Sequence, residues 1–168
     1  STATVSVQVV DFVPADITGK VYADSNQNGS ADAGEVGIGG VTIHLSGTDV
    51  QDQAVNLTTK TNGDGSYGFF GVLPSKDGTT YTITEGQPYG WYDGAESIGD
   101  EGGTLPGNDQ ITVAIPLFGF DDPSDMTDDN TSSGNNFGEI TLSADFRQLN
   151  LGDLLHSGQG SNGGGSES

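Results

Sequence analysis

The stretch Asp24-Ser25-Asn26-Gln27-Asn28-Gly29-Ser30-Ala31-Asp32-Ala33-Gly34-Glu35 sets oxygen-bearing side chains at positions 1, 3, 5, 9 and 12 of a twelve-residue run, with glycine at position 6. This is the spacing of a calcium loop. Ca2+ takes about six to eight oxygen ligands at roughly 2.3–2.6 Å, and so short a chain can wrap one ion only by reversing sharply midway. Gly29 supplies the reversal. Asp24, Asn26 and Asn28 are expected as the first ligands, Ser30 through its carbonyl, Asp32 directly or through water, and Glu35 with both oxygens. The competing reading is a solvated turn rich in Asn, Asp and Gly, which does not account for a match at all six constrained positions.

The flanks decide what the loop joins. Ile17–Tyr22 before it and Gly40–Leu45 after it alternate at period two with β-branched residues, as strands do. A helix-flanked calcium loop opens a helix pair as a sensor. Here an ion is expected to brace the loop-rich end of a β-sandwich.

Further short motifs follow in order: Val36-Gly-Ile-Gly-Gly-Val-Thr-Ile43, Thr61-Asn-Gly-Asp-Gly-Ser-Tyr-Gly-Phe69, Tyr81-Thr-Ile-Thr-Glu85 and Gly134-Asn-Asn-Phe-Gly138. With the loop and its leading strand, the run over about Ile17 to Ile140 resembles a B-type repeat of the serine–aspartate-rich adhesins (SdrD B-like). The resemblance implies an all-β, immunoglobulin-like antiparallel sandwich of the collagen-adhesin B class with long Ca2+-binding loops. It also implies several Ca2+ ions and a rigid spacer role at a bacterial surface.

Composition narrows the partners. The 168 residues carry 24 acidic and 4 basic side chains, for a formal charge of −20. Nucleic acid and anionic membrane surfaces are excluded electrostatically, and no apolar run is long enough for membrane insertion. Self-repulsion of this size opposes compaction unless cations relieve it, so metal binding and folding are expected to be coupled. Cysteine is absent. No disulfide can staple the domain, and extracellular Ca2+ is expected in that role. Ser1 reads as a processed or truncated start, and an extracellular or cell-surface location follows from calcium and family, not from any address in the chain.

Three segments are expected: an N-terminal extension strand over 1–14, the sandwich over 15–140, and an apolar segment with a Gly/Ser-rich tail over 141–168. Thr2–Phe12 alternates cleanly, and Pro14 then ends the strand. Strands are also expected over 55–61, 67–70, 80–85, 110–118 and 136–140, with a Gly-rich ordered loop over 93–109. His44 falls on the solvent side of its strand. Pro88, Tyr89, Trp91 and Tyr92 are expected to form an aromatic cluster over the sandwich edge, and Asp121–Asn130 an acidic loop. A second cage is hinted at by Asn62 and Asp64 in one turn and by Asp93 and Glu96, with Asp100 and Asp109 nearby.

Catalysis finds little footing. His44 and His156 have no suggestive nucleophile beside them, and no motif singles out a carboxylate pair, so no enzyme activity is expected. Domains of the collagen-adhesin B class form a Lys–Asn isopeptide bond assisted by Glu, for which Lys20, Glu85 and Asn135 or Asn136 would be the candidates. Calcium is expected to replace that bond here. The resulting expectation is a calcium-rigidified spacer or fibre subunit of a surface protein or biofilm matrix. Its partners would be neighbouring copies, joined by strand addition, or adjacent repeats. The alternative is an adhesive module that holds a glycan or basic protein on the Trp91 loops or the acidic loop.

Overall fold

A computed structural model of the chain describes residues 11–120 and 130–141. Ten strands run through them with no helix: β1 (Ala15–Ala23), β2 (Thr42–Thr48), β3 (Ala54–Lys60), β4 (Ser66–Val72), β5 (Tyr81–Glu85), β6 (Tyr92–Ser97), β7 (Thr104–Gly107), β8 (Gln110–Val113), β9 (Thr131–Ser132) and β10 (Asn136–Ile140). They form two five-stranded sheets. One has the order β4-β1-β10-β6 with β9 also on β1, and the other the order β3-β2-β5-β8-β7. Pairing is antiparallel except where β1 meets β9 and β10, with Val21 beside Phe137. The expected all-β, mainly antiparallel sandwich is what the chain forms.

Period-two alternation places the core. On β2, Ile43 and Leu45 are buried while His44 is exposed, with Nδ1 2.9 Å from Thr58 Oγ1. On β5, Tyr81, Ile83 and Glu85 all point inward. From the other sheet come Ile17, Val21, Tyr67, Phe69 and Phe137. Tyr67 stands edge-on to Phe69 at a centroid distance of 6.2 Å, an arrangement aromatic quadrupoles favour.

Two expectations on the second half of the sandwich need correction. Residues 93–109 are not a loop, since they contain most of β6 and all of β7. Neither strand is rich in β-branched residues, so propensity did not mark them. Pairing does: Tyr92, Asp93, Glu96 and Ser97 of β6 register against Ile140, Glu139, Phe137 and Asn136 of β10. The strand expected over 110–118 stops at Val113, where Pro116 and the turn bond from Gly119 N–H to its carbonyl (3.0 Å) take over. The expected strand over 2–12 lies largely outside the described residues, as do most of the Asp121–Asn130 loop, the apolar segment after Ile140, His156 and the tail. Within the described part, Val13 N–H reaches Leu117 O at 3.3 Å.

Candidate metal centre

The twelve-residue loop leaves β1 at Asp24, whose side chain is buried. Its backbone N–H donates to Glu139 O on β10 (2.8 Å), which pins the loop to the sheet. The Asp24 carboxylate then organises the reversal: Oδ1 accepts Asn28 N–H (3.1 Å) and Oδ2 accepts Gly29 N–H (2.8 Å). Gly29 has φ of 72°, a left-handed conformation open to glycine without steric cost. Glu35 folds back so that Oε1 accepts Ser25 N–H (2.9 Å) and Oε2 accepts Asp32 N–H (3.1 Å). Ser30 N–H donates to Asn28 Oδ1 (2.8 Å).

Asp32 stands at position 9 of the loop, and the Asn26 and Asn28 amides converge on its Oδ2 at 2.9 and 2.8 Å. Those two bonds hold the Asp32 carboxyl below the usual carboxylate range. The Oδ1 atoms of Asn26 and Asn28 accept backbone N–H groups, of Asn28 (3.0 Å) and Ser30 (2.8 Å), and the charged side chains of the loop, Asp24, Asp32 and Glu35, carry only oxygen. The loop thus offers a donor set of oxygen alone, the chemistry that suits a hard cation and not a soft one. Tyr22, fully buried, keeps its hydroxyl unpartnered beside these groups. Burial and then the charges of Asp24, Glu35 and Asp32 push it up to about 12.

The carboxylates that the fold draws within 4.8 Å of one another are others: Glu85, Asp109 and Glu139 in one group, and Asp93, Glu96 and Asp109 in the next. Glu85 ends β5 on the same inward face as Ile83, and Glu139 follows Phe137 at period two on β10. Asp109 lies in the turn between β7 and β8, with φ of 56°, and its N–H donates to Glu96 Oε1 (2.8 Å). Glu85 is 4% exposed and Glu139 0%. Both Glu85 oxygens, Glu139 Oε1 and Asp109 Oδ1 are buried without a hydrogen-bond partner, while Gln87 Nε2 donates to Glu139 Oε2. Burial, then the charges of Glu139, Asp109, Glu96 and Asp93, push Glu85 up to about 9. Burial, Asp93 and Glu96 raise Asp109 to about 6, and burial is also the main cause that brings Glu139 to about 7.

These shifts set a sign for the metal-free protein. The folded state keeps protons on Glu85, Glu139 and Asp109 that the unfolded chain, with ordinary carboxyls, gives up. Stability therefore falls as pH rises from the ordinary carboxylate range towards about 9. In EDTA the chain is expected to melt at a higher temperature at pH 5 than at pH 8. Melting curves that shift the other way would contradict this.

Of the second cage expected from sequence, the fold brings Asp93, Glu96 and Asp109 together. Asn62 and Asp64 stay apart in a self-contained turn, where Asn62 Nδ2 donates to Ser66 Oγ (3.0 Å) and Asp64 Oδ1 accepts Ser66 N–H and O–H at 3.0 and 2.6 Å. Asp100 is occupied in accepting Ser133 N–H (2.7 Å). Glu85 and Glu139 were not expected as metal ligands. The signal was available, since each continues the inward alternation of its strand.

Among the isopeptide candidates, Lys20 and Asn136 meet through the Lys20 backbone. Asn136 Oδ1 accepts the backbone N–H of Lys20 (2.9 Å), Asn135 Nδ2 is spent on backbone and Ser132 oxygens, and Glu85 is surrounded by carboxylates. Tyr89 projects fully into solvent and Tyr92 is half exposed. Trp91 lines a cavity of about 160 Å3 with Asp24, Ser25 and Glu139.

A family model described as SdrD B-like domain matches residues 15–115. No curated protein matches the chain. Among solved structures, the shaft pilin spaA from Lactobacillus rhamnosus GG is similar at 12% identity, over 77% of this chain and 52% of the pilin, with a TM-score of 0.48. The chain thus spans about half of that pilin's length. The major plantain pollen allergen Pla l 1 is similar at 14% identity, over 76% of this chain and 93% of the allergen, with a TM-score of 0.43.

Proposed function

Because this chain belongs to the SdrD B-like domain family, we propose that it is a structural domain of an extracellular surface protein or matrix fibre, stiffened by Ca2+ in the loop from Asp24 to Glu35. The observation that carries the reading is the loop's architecture. Asp24 and Glu35, its first and last members, are locked by backbone N–H groups of the loop itself. Between them in the chain stand Asn26, Asn28 and Asp32, the two amides donating to Asp32 Oδ2. Asp24, Asn26, Asn28, Ser30, Asp32 and Glu35 would hold the ion, which would neutralise charges that otherwise repel across an exposed loop.

Bracing matters at this position because the loop connects β1, in one sheet, to β2, in the other. A fixed loop couples the sheets, and a sandwich with coupled sheets transmits load without shear. The segment before Pro14 would extend the domain to a neighbouring copy by adding a strand to an open edge. The seven-residue β3, at the end of its sheet among the described residues, offers such an edge. A strand passed from copy to copy does not close into a ring unless the rotation permits it, so it builds filaments.

The test is thermal unfolding with and without Ca2+, paired with sedimentation of the full chain and of a chain lacking residues before Asp16. At free Ca2+ about one hundredfold above Kd, one loop ion adds about 2.7 kcal/mol. Glu35→Gln is expected to remove most of that gain. A melting temperature indifferent to both EDTA and Glu35→Gln would sink the loop-ion reading. A full chain that stays monomeric at high concentration with Ca2+ would sink strand addition and leave a spacer.

A further inference from the structure

An aromatic turn at the loop end of the sandwich and an apolar cleft at its other end have no role in that proposal. Pro88 to Trp91 form a turn closed by Trp91 N–H to Pro88 O (3.2 Å), and Gly90 takes the third position with φ of 88°, as a type II turn requires. The turn holds Tyr89 wholly in solvent. The cleft, of about 730 Å3, is walled by Val50, Ile115, Pro116 and Leu117. Phe118, next in the chain, is 66% exposed. Contiguous apolar surface of this kind in a concave setting marks a place where something docks. The cleft is already formed, because Val50 N–H to Pro74 O (2.9 Å), Ser75 N–H to Ile115 O (3.0 Å) and Lys76 N–H to Thr48 O (2.9 Å) tie together the three connections around it.

Strand direction sets the two features at opposite ends. β1 and β10 run parallel, so the described chain enters at one end and leaves at the other. Val13 N–H bonds Leu117 O beside the cleft, and Thr141 lines the same cavity as Trp91. A rigid sandwich cannot bring its own Tyr89 into its own cleft, whereas a second copy in line with it can. We propose that the Tyr89 turn of one copy seats in the cleft formed by Val50, Ile115 and Leu117 of the next, a head-to-tail contact that sets copies end to end. Tyrosine suits the part: it buries a large ring at little entropic cost, and its hydroxyl needs a polar partner once covered. Asp77, Thr79 and Thr80 line the cleft and supply such partners. A knob at one end and a hole at the other make a heterologous contact, which extends in a line when the rotation does not close. The direction also agrees with where the described chain begins. Ten residues precede Asp11, up to about 35 Å of extended chain, and they would start at the junction, facing the end of the neighbour at which β3 terminates. The contact rests on the fibre or spacer reading for its purpose, and on the cleft and the turn for its existence.

One end of a sandwich buries less than the roughly 1,200–2,000 Å2 of a standard stable interface, so a single contact is expected to be weak and is best read by capture. The full chain with p-benzoylphenylalanine in place of Tyr89, which keeps an aromatic anchor, is mixed with isotope-labelled wild type in Ca2+ and photolysed. Attachment is expected at Val50, Ile115, Pro116 or Leu117 of the labelled copy. Trp91, the one tryptophan of the chain, stands in the same turn, so its emission should shift to the blue as protein concentration rises. Tyr89→Ala changes a side chain that touches only solvent, and is expected to weaken this association about thirtyfold, as loss of an aromatic anchor from its pocket does. Leu117→Asp should match it from the cleft side. Capture only on other surfaces, or only within one copy, overturns the proposal, as does a concentration-dependent Trp91 shift that Tyr89→Ala leaves intact. Benzoylphenylalanine at Leu117 that captures the first ten residues of its own chain would give the cleft to that segment and overturn it equally. The melting test of the loop ion reads single copies. Ca2+-indifferent melting with capture intact would therefore sink the ion and keep the contact, and the reverse pair of results would keep the ion and remove the contact.

Discussion

Gly37→Ala is expected to destabilise the domain by about 3 kcal/mol or more, at the upper end of the overpacking range, and to lower its melting temperature by roughly 10 °C. A Cβ at Gly37 would stand 1.8 Å from Asp64 O and 2.1 Å from its carbonyl carbon, both backbone atoms that cannot swing aside. The contact is mutual, since a Cβ on Gly65 would meet Val21 O at 2.2 Å and Gly37 Cα at 2.7 Å. Three chain segments cross here: β1, the exit of the twelve-residue loop and the turn before β4. They are joined by Ile38 N–H to Val21 O and Val21 N–H to Gly65 O, each 2.9 Å. Opening the crossing by more than an ångström breaks one of these bonds and shifts Glu35, two residues upstream, so Ca2+ affinity is expected to fall as well. Gly34→Ala is the control. Its φ of 101° makes alanine strained, but nothing lies within 4 Å of the added carbon, so its cost should stay near 1–2 kcal/mol. If calorimetry finds Gly37→Ala no worse than Gly34→Ala, close packing at the crossing is not what selects glycine.

That crossing shows what could be read from the chain and what could not. The glycines of Val36–Ile43 and Thr61–Phe69 were visible as motifs, and so was the loop, because each is written in consecutive residues whose spacing carries its own geometry. The reason for Gly37 is a contact with Asp64, across the width of a strand pair, and no local pattern states it. The same divide runs through the acidic groups. Asp93, Glu96 and Asp109 were grouped by proximity along the chain, whereas Glu85 and Glu139 meet only because β5 and β10 face each other across the core. Alternation places Glu85 inward after Ile83 and Glu139 inward after Phe137, yet a carboxylate at an inward position reads as a strand end until the partner acids are seen. β6 and β7 escaped for a related reason: after Tyr92 and Thr104 they are filled largely by residues depleted in strands, Asp93, Gly94, Ala95 and Glu96 in one and Pro106 and Gly107 in the other, and pairing with β10 and β8 holds them in the sheet.

Asn135→Ala is expected to cost about 3–5 kcal/mol, a large share of the roughly 5–15 kcal/mol that holds a domain of this size. The residue is fully buried. Its Nδ2 reaches Thr18 O (3.2 Å), Ser132 O (3.1 Å) and Ser132 Oγ (3.1 Å), and its Oδ1 accepts Gly99 N–H (3.1 Å). Its backbone O accepts the Tyr67 hydroxyl at 2.7 Å. One side chain thus ties β1, the approach to β10, and the segment after β6. Alanine leaves the Gly99 donor and the Ser132 carbonyl buried without it, and each such orphan costs about 1–3 kcal/mol. Asn135→Asp keeps the shape but replaces the donating amide with a carboxylate against carbonyl oxygens, so it should destabilise at least as much at neutral pH and recover as pH falls and the acid regains a proton. Water entering the vacated space would soften the alanine variant and leave the aspartate variant impaired. A melting temperature within about 2 °C of wild type for both variants would show that the network contributes nothing beyond shape.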